Sequence, residues 1–468
     1  MLTYLPKYFT SIAIALYFIL LVGCSVVFMH PLPIIWIFLG IIEVVCFFYF
    51  TNILSKNWSD ISNKLFTKKL IQTALLIRII YVVIIYFFYL YMTGQPFEFD
   101  AADSMGYHEE AILRLSALNN GDYFNALTPM LKNGWSDTGY PVYLTIMYKI
   151  FGVNILLLRI IKAIISAYTC LLIYKLAKRN FGEPAGRLAG IISMLFPNLI
   201  YYCGLHVKET EMVFLTVLVI ERFDYFMRTN KLNSINILYV LIIMFLLFTL
   251  RTVLAVTIFL AFISYIFLSG QKTNNLSRVL FVTGTIIYSY FFIGGNIEKE
   301  ISFLWKDKDS NQITSMQWRT DAKGGNKLAK YGSAKIFAPA MISAPFPTLV
   351  NVDGQDNQML LNGGYFTKNI FSFFVYISLI VIWQLKKIKQ NILILSFLFG
   401  YLAVLALSGF AISERFHLPA VPFLIILAAY GITQTNQKNK RYYIPFLALM
   451  ALLIIGWNWF KLAGRGMY

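Results

Sequence analysis

Long apolar runs separated by short polar segments dominate the chain. A helix needs about 20 predominantly apolar residues to cross a bilayer, and about thirteen runs approach that length. The pattern therefore predicts an all-α polytopic membrane protein with about thirteen transmembrane helices. The predicted spans are residues 8–29, 33–54, 70–92, 153–174, 188–205, 211–227, 235–250, 252–269, 279–295, 365–385, 391–409, 416–433 and 442–462.

The segment 93–152 interrupts this series and predicts two shorter helices. Residues 140–151 are apolar but too short to span a bilayer, which favours an interfacial or re-entrant helix. Residues 104–118 have apolar side chains near one helical face and polar ones elsewhere, which suits a helix lying in the membrane interface. The apolar set is Tyr107, Ile112, Leu115 and Leu118, and the polar set is His108, Glu109 and Arg114.

Charge adds an orientation to this picture. The chain carries 40 Lys and Arg against 22 Asp and Glu, a formal net charge of +18. Such a charge can indicate nucleic-acid binding, but here the basic residues concentrate in alternate connections, so no nucleic-acid partner is expected. The positive-inside rule places these connections and the N-terminus in the cytoplasm. They include Lys56, Lys64, Lys68 and Lys69 in one loop, and Lys175, Lys178, Arg179 and Arg187 in another.

The remaining connections are then external, and most of the unusual polar groups fall in them. The stretch "FEFDAADSMGYHEEA" at 97–111 holds five acidic residues, and the corner "GLHVKETEM" supplies Lys208 and Glu209. Arg251 lies between two apolar runs, and "ISERFHLPAVP" supplies Arg415. Ionisable groups at membrane depth are costly and tend to be functional. Their convergence on one predicted face indicates an external active site in a cytoplasmic (inner) membrane protein.

Several of these segments resemble a known family. "DSMGYHEEA" is similar to the Asp-x-x-x-Tyr-x-x-x-Ala signature in the first external loop of GT-C glycosyltransferases, through Asp103, Tyr107 and Ala111. "GYPVYLTIMYKIFGVNILLLRIIKAI" and "RFHLPAVPFLIILAAYGI" resemble further segments of the same superfamily. The resemblance covers roughly 70–434. It is closest to the protein mannosyltransferase and aminoarabinose transferase families, which use lipid-linked sugar donors.

This resemblance implies a GT-C-like helix bundle with interfacial helices in its first large external loop. Residues 1–69 would contribute two N-terminal transmembrane helices and a cytoplasmic loop. Residues 70–295 would form the catalytic module, including the external loop 93–152. A second external loop at 296–364 and C-terminal helices at 365–468 would complete the chain.

The same resemblance implies a glycosyltransferase that moves a sugar from a polyprenyl-phosphate donor to a lipid, glycan or protein acceptor. Outside the cytoplasm there is no supply of nucleotide sugars, so a lipid must carry the donor. The leaving phosphate requires cations, for which Lys208, Arg251 and Arg415 are the candidates.

The acceptor hydroxyl needs a carboxylate to take its proton. Asp103 is the predicted base, with Asp100 or Glu209 as a second carboxylate. Asp103 and Glu209 are also candidate ligands of a divalent cation, Mg²⁺ or Mn²⁺. A single base predicts inversion at the anomeric carbon. The candidate acceptor or sugar contacts are Tyr107, His108, Glu209, His417 and Tyr140.

Other interpretations compete with these. Asp103 precedes a predicted helix, so one alternative is that its sole role is to cap that helix. Glu43 and Arg78 lie inside predicted spans, where they can pair with each other. At the level of the whole protein, the alternatives are an O-antigen-type glycan polymerase or ligase, and a lipid-linked glycan transporter or flippase. The acidic first loop favours the transferase over the polymerase. A transporter predicts inverted repeats and charges at the bilayer midplane.

Overall fold

The protein is described by a computed structural model over residues 2–127, 137–229, 233–269, 340–407 and 413–467, and its regular structure in these ranges is helical. The first twelve helices are α1 (Lys7–Phe28), α2 (Ile34–Asn57), α3 (Asn63–Thr93), α4 (Ala102–Asn119), α5 (Tyr123–Leu127), α6 (Gly139–Phe151), α7 (Ile155–Phe181), α8 (Glu183–Leu195), α9 (Pro197–Cys203), α10 (Glu209–Arg228), α11 (Ser234–Leu250) and α12 (Thr252–Leu268). The later ones are α13 (Asp356–Leu360), α14 (Asn362–Gln384), α15 (Ile392–Leu407), α16 (Glu414–His417), α17 (Val421–Gln434), α18 (Gln437–Lys440) and α19 (Tyr443–Ala463).

Eight helical segments in the described ranges are long and apolar enough to cross a membrane, and α11 and α12 are shorter apolar helices. This confirms the predicted all-α polytopic membrane fold. The count of thirteen is not confirmed, and the span predicted at 279–295 lies outside the described residues. The eight segments are Lys7–Phe28, Ile34–Asn57, Asn63–Thr93, Ile155–Phe181, Asn362–Gln384, Lys389–Ala406, Glu414–Gln434 and Gln437–Ala463.

Two predicted spans differ from the helices observed. The run 188–205 is divided, because α8 ends at Leu195 and α9 starts at Pro197. Proline has no N–H to continue the helical hydrogen bonds, and it forces the preceding residue into an extended conformation. The run 211–227 forms α10, which carries Glu221, Arg222 and Asp224 within one turn. Arg179 on α7 pairs with both of these acidic residues, Arg222 pairs with Glu221 and Arg228 pairs with Asp224, so their charges are neutralised.

Hydrogen bonds show which connections share an end of the bundle. At one end, Arg187 donates to the carbonyl oxygens of Trp58, Ser59 and Ile61 at 2.8, 2.9 and 2.7 Å, and to the Asn63 side chain at 2.8 Å. From Asn63 the 31-residue helix α3 runs about 46 Å, at 1.5 Å per residue. It leads to the opposite end, where the acidic segment after Thr93 begins.

Replacing Arg187 with methionine is expected to destabilise the fold by about 3 kcal/mol, because it leaves the buried Trp58 carbonyl and the partly buried Ser59 and Ile61 carbonyls without their donor. Thermal unfolding of the purified protein measures this as a lowered Tm. Arg441→Met is the control, since Arg441 is exposed and stacks only on its neighbour Tyr442. Equal Tm values for the two variants would contradict the assignment.

The predicted pair of Glu43 and Arg78 is wrong. Glu43 accepts a hydrogen bond from the backbone N–H of Gly364 on α14, at 3.0 Å. Arg78 is fully buried and donates to Ser166 Oγ at 2.7 Å and to the Met194 carbonyl at 3.0 Å. Each charge is therefore satisfied by a different neighbouring helix, and both residues join helices within the bundle.

The two short helices predicted in the first polar loop are present as α4 and α6. Their predicted faces are correct only in part. Arg114 is buried and not on the wet face, because it pairs with Glu110 one turn earlier at 2.7 Å and donates to the Ala126 carbonyl at 3.3 Å. Ile112, on the predicted apolar face, is 40% exposed.

Candidate active site

Arg415 joins three distant segments of the chain. It lies in α16, and its guanidinium pairs through Nη1 with Asp103 Oδ2 and through Nε with Glu209 Oε1. The Glu209 side chain is fully buried, whereas 57% of the Asp103 side chain is exposed. A guanidinium has five N–H donors in a planar fork. Those not used by the two carboxylates are available to bind a further anion.

Asp103 is not the N-cap of α4. Ala101 occupies the cap position, no side chain accepts a capping hydrogen bond there, and Asp103 lies in the first helical turn. Asp100 precedes it in a left-handed conformation with φ of 50°, and its carbonyl accepts a hydrogen bond from the N–H of Ala102 at 2.8 Å. This turn starts α4 so that the Asp103 carboxylate faces Arg415.

Lys208 precedes α10 and is almost fully buried. Its ammonium pairs with Asp137, donates to the Leu250 carbonyl at 2.9 Å, and lies 5.9 Å from the centre of the Tyr107 ring. Burial and the nearby Arg251 cation lower the pKa of Lys208 to about 7, and the nearby carboxylates of Glu209 and Asp103 oppose this shift.

Arg251 separates α11 from α12, where the backbone becomes extended for one residue. Its guanidinium lies 4.0 Å from the centre of the Phe416 ring, a cation–π contact with the residue directly after Arg415. Lys208 contacts the residue before Arg251, and Arg251 contacts the residue after Arg415. The three predicted cations therefore lie close together at one end of the bundle.

Aromatic residues pack behind these charges. The Tyr107 ring meets the edge of the fully buried Tyr140 ring at 5.2 Å, and burial raises the pKa of Tyr107 to about 12. His108 Nδ1 lies 2.7 Å from the Tyr148 hydroxyl, which lies 3.0 Å from Nε2 of the buried His206. Burial lowers the pKa of both histidines. Both are therefore held mainly in the neutral form at neutral pH.

A cleft of about 320 Å³ opens beside Asp103 and Arg415. Of the predicted site residues, Asp100, Asp103 and Arg415 line it. The other predicted residues are outside its lining: Lys208, Glu209, Arg251, Tyr107, His108, Tyr140 and the fully buried His417. The chemistry predicted from the sequence is therefore divided between the cleft wall and the layer behind it.

The sequence analysis assigned no role to two buried groups at the cleft, Glu414 and Lys368. The carboxylate of Glu414, which lines it, accepts a hydrogen bond from Asn198 Nδ2 at 2.8 Å and pairs with Lys368 Nζ at 3.4 Å. A signal was available for Lys368, since a lysine inside the apolar run 365–385 is costly without a partner. The pair fixes α14 against α16, next to Arg415.

The fold and the site define an integral membrane protein with an ion-paired cleft at one end of a helix bundle. Within it, residues 139–293 match the family model of dolichyl-phosphate-mannose-protein mannosyltransferases, which are of GT-C type. The match confirms the resemblance to GT-C enzymes and supports a membrane glycosyltransferase of that type.

The matched segment includes only part of the site. It contains Lys208, Glu209, Arg251 and Tyr140, whereas Asp100, Asp103 and Arg415 lie outside it. No curated protein and no solved structure matches the chain significantly. The roles of the individual residues therefore depend on the geometry of this site.

Proposed function

We propose that this protein transfers a sugar from a polyprenyl-phosphate donor to an acceptor at the external face of the cytoplasmic membrane. The observation that carries the proposal is the pairing of Arg415 with Asp103 and Glu209 at the wall of the cleft. It places a base and an anion-binding group side by side. The matched family is named for dolichyl-phosphate-mannose, a donor of this chemical class.

The external placement of the site is supported by the two ends of the bundle. Arg187 and the loop after α2, which has Lys56, Lys64, Lys68 and Lys69 around it, lie at one end of α3. Asp103 and its partners lie beyond the other end. Basic connections remain preferentially in the cytoplasm, so the cleft would face outward.

Three cations, Arg415, Lys208 and Arg251, would stabilise the phosphate leaving group. As the bond between the anomeric carbon and the phosphate oxygen breaks, its electron pair moves onto the phosphate. Arg415 can bind that anion with the N–H groups that the two carboxylates leave available. Lys208 and Arg251, close behind it, would add positive charge in a site of low dielectric constant, where charges act more strongly.

Asp103 would act as the base. Its exposed carboxylate lines the cleft, where an acceptor hydroxyl can approach and give up its proton as the new glycosidic bond forms. Asp100 lines the same cleft as a second carboxylate. Attack from the cleft, opposite the departing phosphate, would invert the configuration of the anomeric carbon.

A divalent cation has no step in this mechanism. Asp103 and Glu209, the predicted ligands, are both paired with Arg415. In the described parts of the chain, no group of three or more His, Cys, Asp or Glu side chains is placed to hold a metal ion. Two carboxylates that already share one guanidinium are a poor set for Mg²⁺ or Mn²⁺, which require several oxygen ligands.

Binding of farnesyl phosphate to the purified protein in nanodiscs tests the phosphate assignment. Arg415→Ala is expected to weaken binding about a hundredfold, since it removes a charge-assisted contact from a partly buried site. Arg415→Lys should recover only part of it, because an ammonium lacks the planar fork. Arg441→Ala, at the opposite end of the bundle, is the control. Unchanged affinity in both Arg415 variants would reject the proposal.

A further inference from the structure

The two halves of the cleft carry different chemistry. The half next to Asp103 and Arg415 is charged. The opposite half is neutral, made of amide, aromatic and aliphatic side chains. It is formed by Phe346, Asn357, Gln358, Leu361, Tyr365 and Trp457. A ligand in this half would meet hydrogen-bonding and aromatic groups without a formal charge.

The amide of Gln358 has a fixed orientation. The buried ammonium of Lys461 donates to Gln358 Oε1 at 2.6 Å and to Gln355 Oε1 at 2.7 Å. A lysine ammonium can only donate, so the oxygen of Gln358 must face Lys461. The two N–H groups of Gln358 are then available to the cleft. Lys461 also lies 4.8 Å from the centre of the Trp457 ring, so one lysine positions both side chains.

Asn357 connects this half of the cleft with the acidic half. Its Nδ2 donates to the Phe99 carbonyl at 2.5 Å, and its Oδ1 accepts from the Tyr201 hydroxyl at 3.4 Å. Phe99 directly precedes Asp100. The neutral wall is therefore held next to the segment that carries Asp103.

We propose that Gln358 and Trp457 bind a neutral sugar ring and determine which sugar the enzyme accepts. The inference rests on the proposed function and deepens it. A sugar presents hydroxyl groups to an oriented amide and C–H faces to aromatic rings, and the lining side chains named here carry no charge that a charged ligand would need. The volume of about 320 Å³ is at the small end of ligand pockets, which suits a short saccharide.

Gln358→Glu tests the amide with little change in shape. Glutamate keeps the contact with Lys461 but has no N–H to donate. Gln355→Glu is the matched control, since it makes the same contact with Lys461 and does not line the cleft. Saturation-transfer NMR with a panel of methyl hexosides and pentosides, on protein in nanodiscs, is expected to detect binding that Gln358→Glu weakens about tenfold. Trp457→Leu should have a similar effect.

A second measurement separates the two sources of the sugar. If the cleft holds the donor's sugar, Gln358→Glu should weaken binding of polyprenyl-phosphate hexoses but not of polyprenyl phosphate itself. If it holds the acceptor's sugar, the variant should weaken binding of methyl glycosides, measured with farnesyl phosphate saturating, and leave the lipid-linked hexoses unaffected.

The subsite would be rejected if the wild type bound no saccharide, or if Gln358→Glu and Gln355→Glu behaved alike. Its failure is distinguishable from failure of the proposed function. Saccharide binding without any farnesyl phosphate binding would reject the lipid-phosphate donor and leave the subsite standing. Farnesyl phosphate binding without saccharide binding would reject the subsite and leave the lipid-phosphate donor standing.

Discussion

Asp103→Asn is expected to reduce sugar transfer about a thousandfold, within the range that a positioned general base contributes. Asparagine has nearly the same size and its side-chain oxygen can still accept from Arg415, but it cannot take a proton from the acceptor. Transfer is measured by mass spectrometry of envelope glycans, in cells where each variant replaces the wild-type protein. Turnover in membranes supplied with polyprenyl-phosphate hexoses gives the rate.

Glu109→Gln is the control for this prediction. Glu109 lies on the exposed side of the same helix, and its replacement should leave transfer unchanged. Asp103→Asn should also bind farnesyl phosphate with nearly wild-type affinity, which separates the proton step from phosphate binding. Full activity in Asp103→Asn would mean that the carboxylate only orients Arg415.

The sequence predicted which charged segments lie near one another, because topology determines the end of the bundle at which each connection lies. Asp103, Glu209 and Arg415 are far apart in the chain, yet each follows or precedes an apolar run on the same predicted side. Counting apolar runs and basic loops was sufficient to place them together. Their ion pairs were not predicted, because which of these charges pair depends on side-chain packing.

The neutral half of the cleft could not be predicted in this way. Trp457 is one of 8 tryptophans and Tyr365 one of 30 tyrosines, so composition cannot single them out. Gln358 becomes distinctive only through Lys461, which comes from a separate helix near the end of the chain. Local patterns contain no information about contacts of that sequence separation.

The binding partners of buried charged residues could not be predicted from the sequence either. The prediction that Glu43 and Arg78 pair assumed that charges in apolar spans bind opposite charges. Instead, Glu43 binds a backbone N–H that has no sequence signature, made accessible because Gly363 and Gly364 bring α14 close to α2. A carbon added at Gly363 would lie 2.7 Å from both Glu43 Oε2 and the Gly40 carbonyl.

A glycine also allows close contact between α14 and α17. A Cβ atom added at Gly431 on α17 would lie 1.9 Å from the carbonyl oxygen of Phe374 and 2.7 Å from its carbonyl carbon, both in the backbone of α14. A flexible side chain could move aside, but a helix backbone cannot do so locally. Small residues allow such approach in membrane bundles, and here α14 and α17 must separate if glycine is lost.

Gly431→Ala is therefore expected to destabilise the protein by about 3 kcal/mol, at the upper end of the usual cost of overpacking. The measurement is the Tm of the purified protein, together with the fraction that remains monodisperse in detergent. Gly456→Ala is the control. Gly456 is in α19, and in the described part of the chain nothing beyond its chain neighbours and its own helix backbone lies within 4 Å of its added carbon. Alanine there should be neutral or slightly stabilising because it favours helix.

The same variant should also damage the site. α17 follows directly from the turn that carries Arg415, and α14 carries Tyr365 on the cleft wall and Lys368 below it, so separating the two helices would widen the cleft. Any folded Gly431→Ala protein is therefore expected to bind farnesyl phosphate more weakly than Gly456→Ala. Equal stability and equal binding in the two variants would show that α14 and α17 are not packed as closely as described.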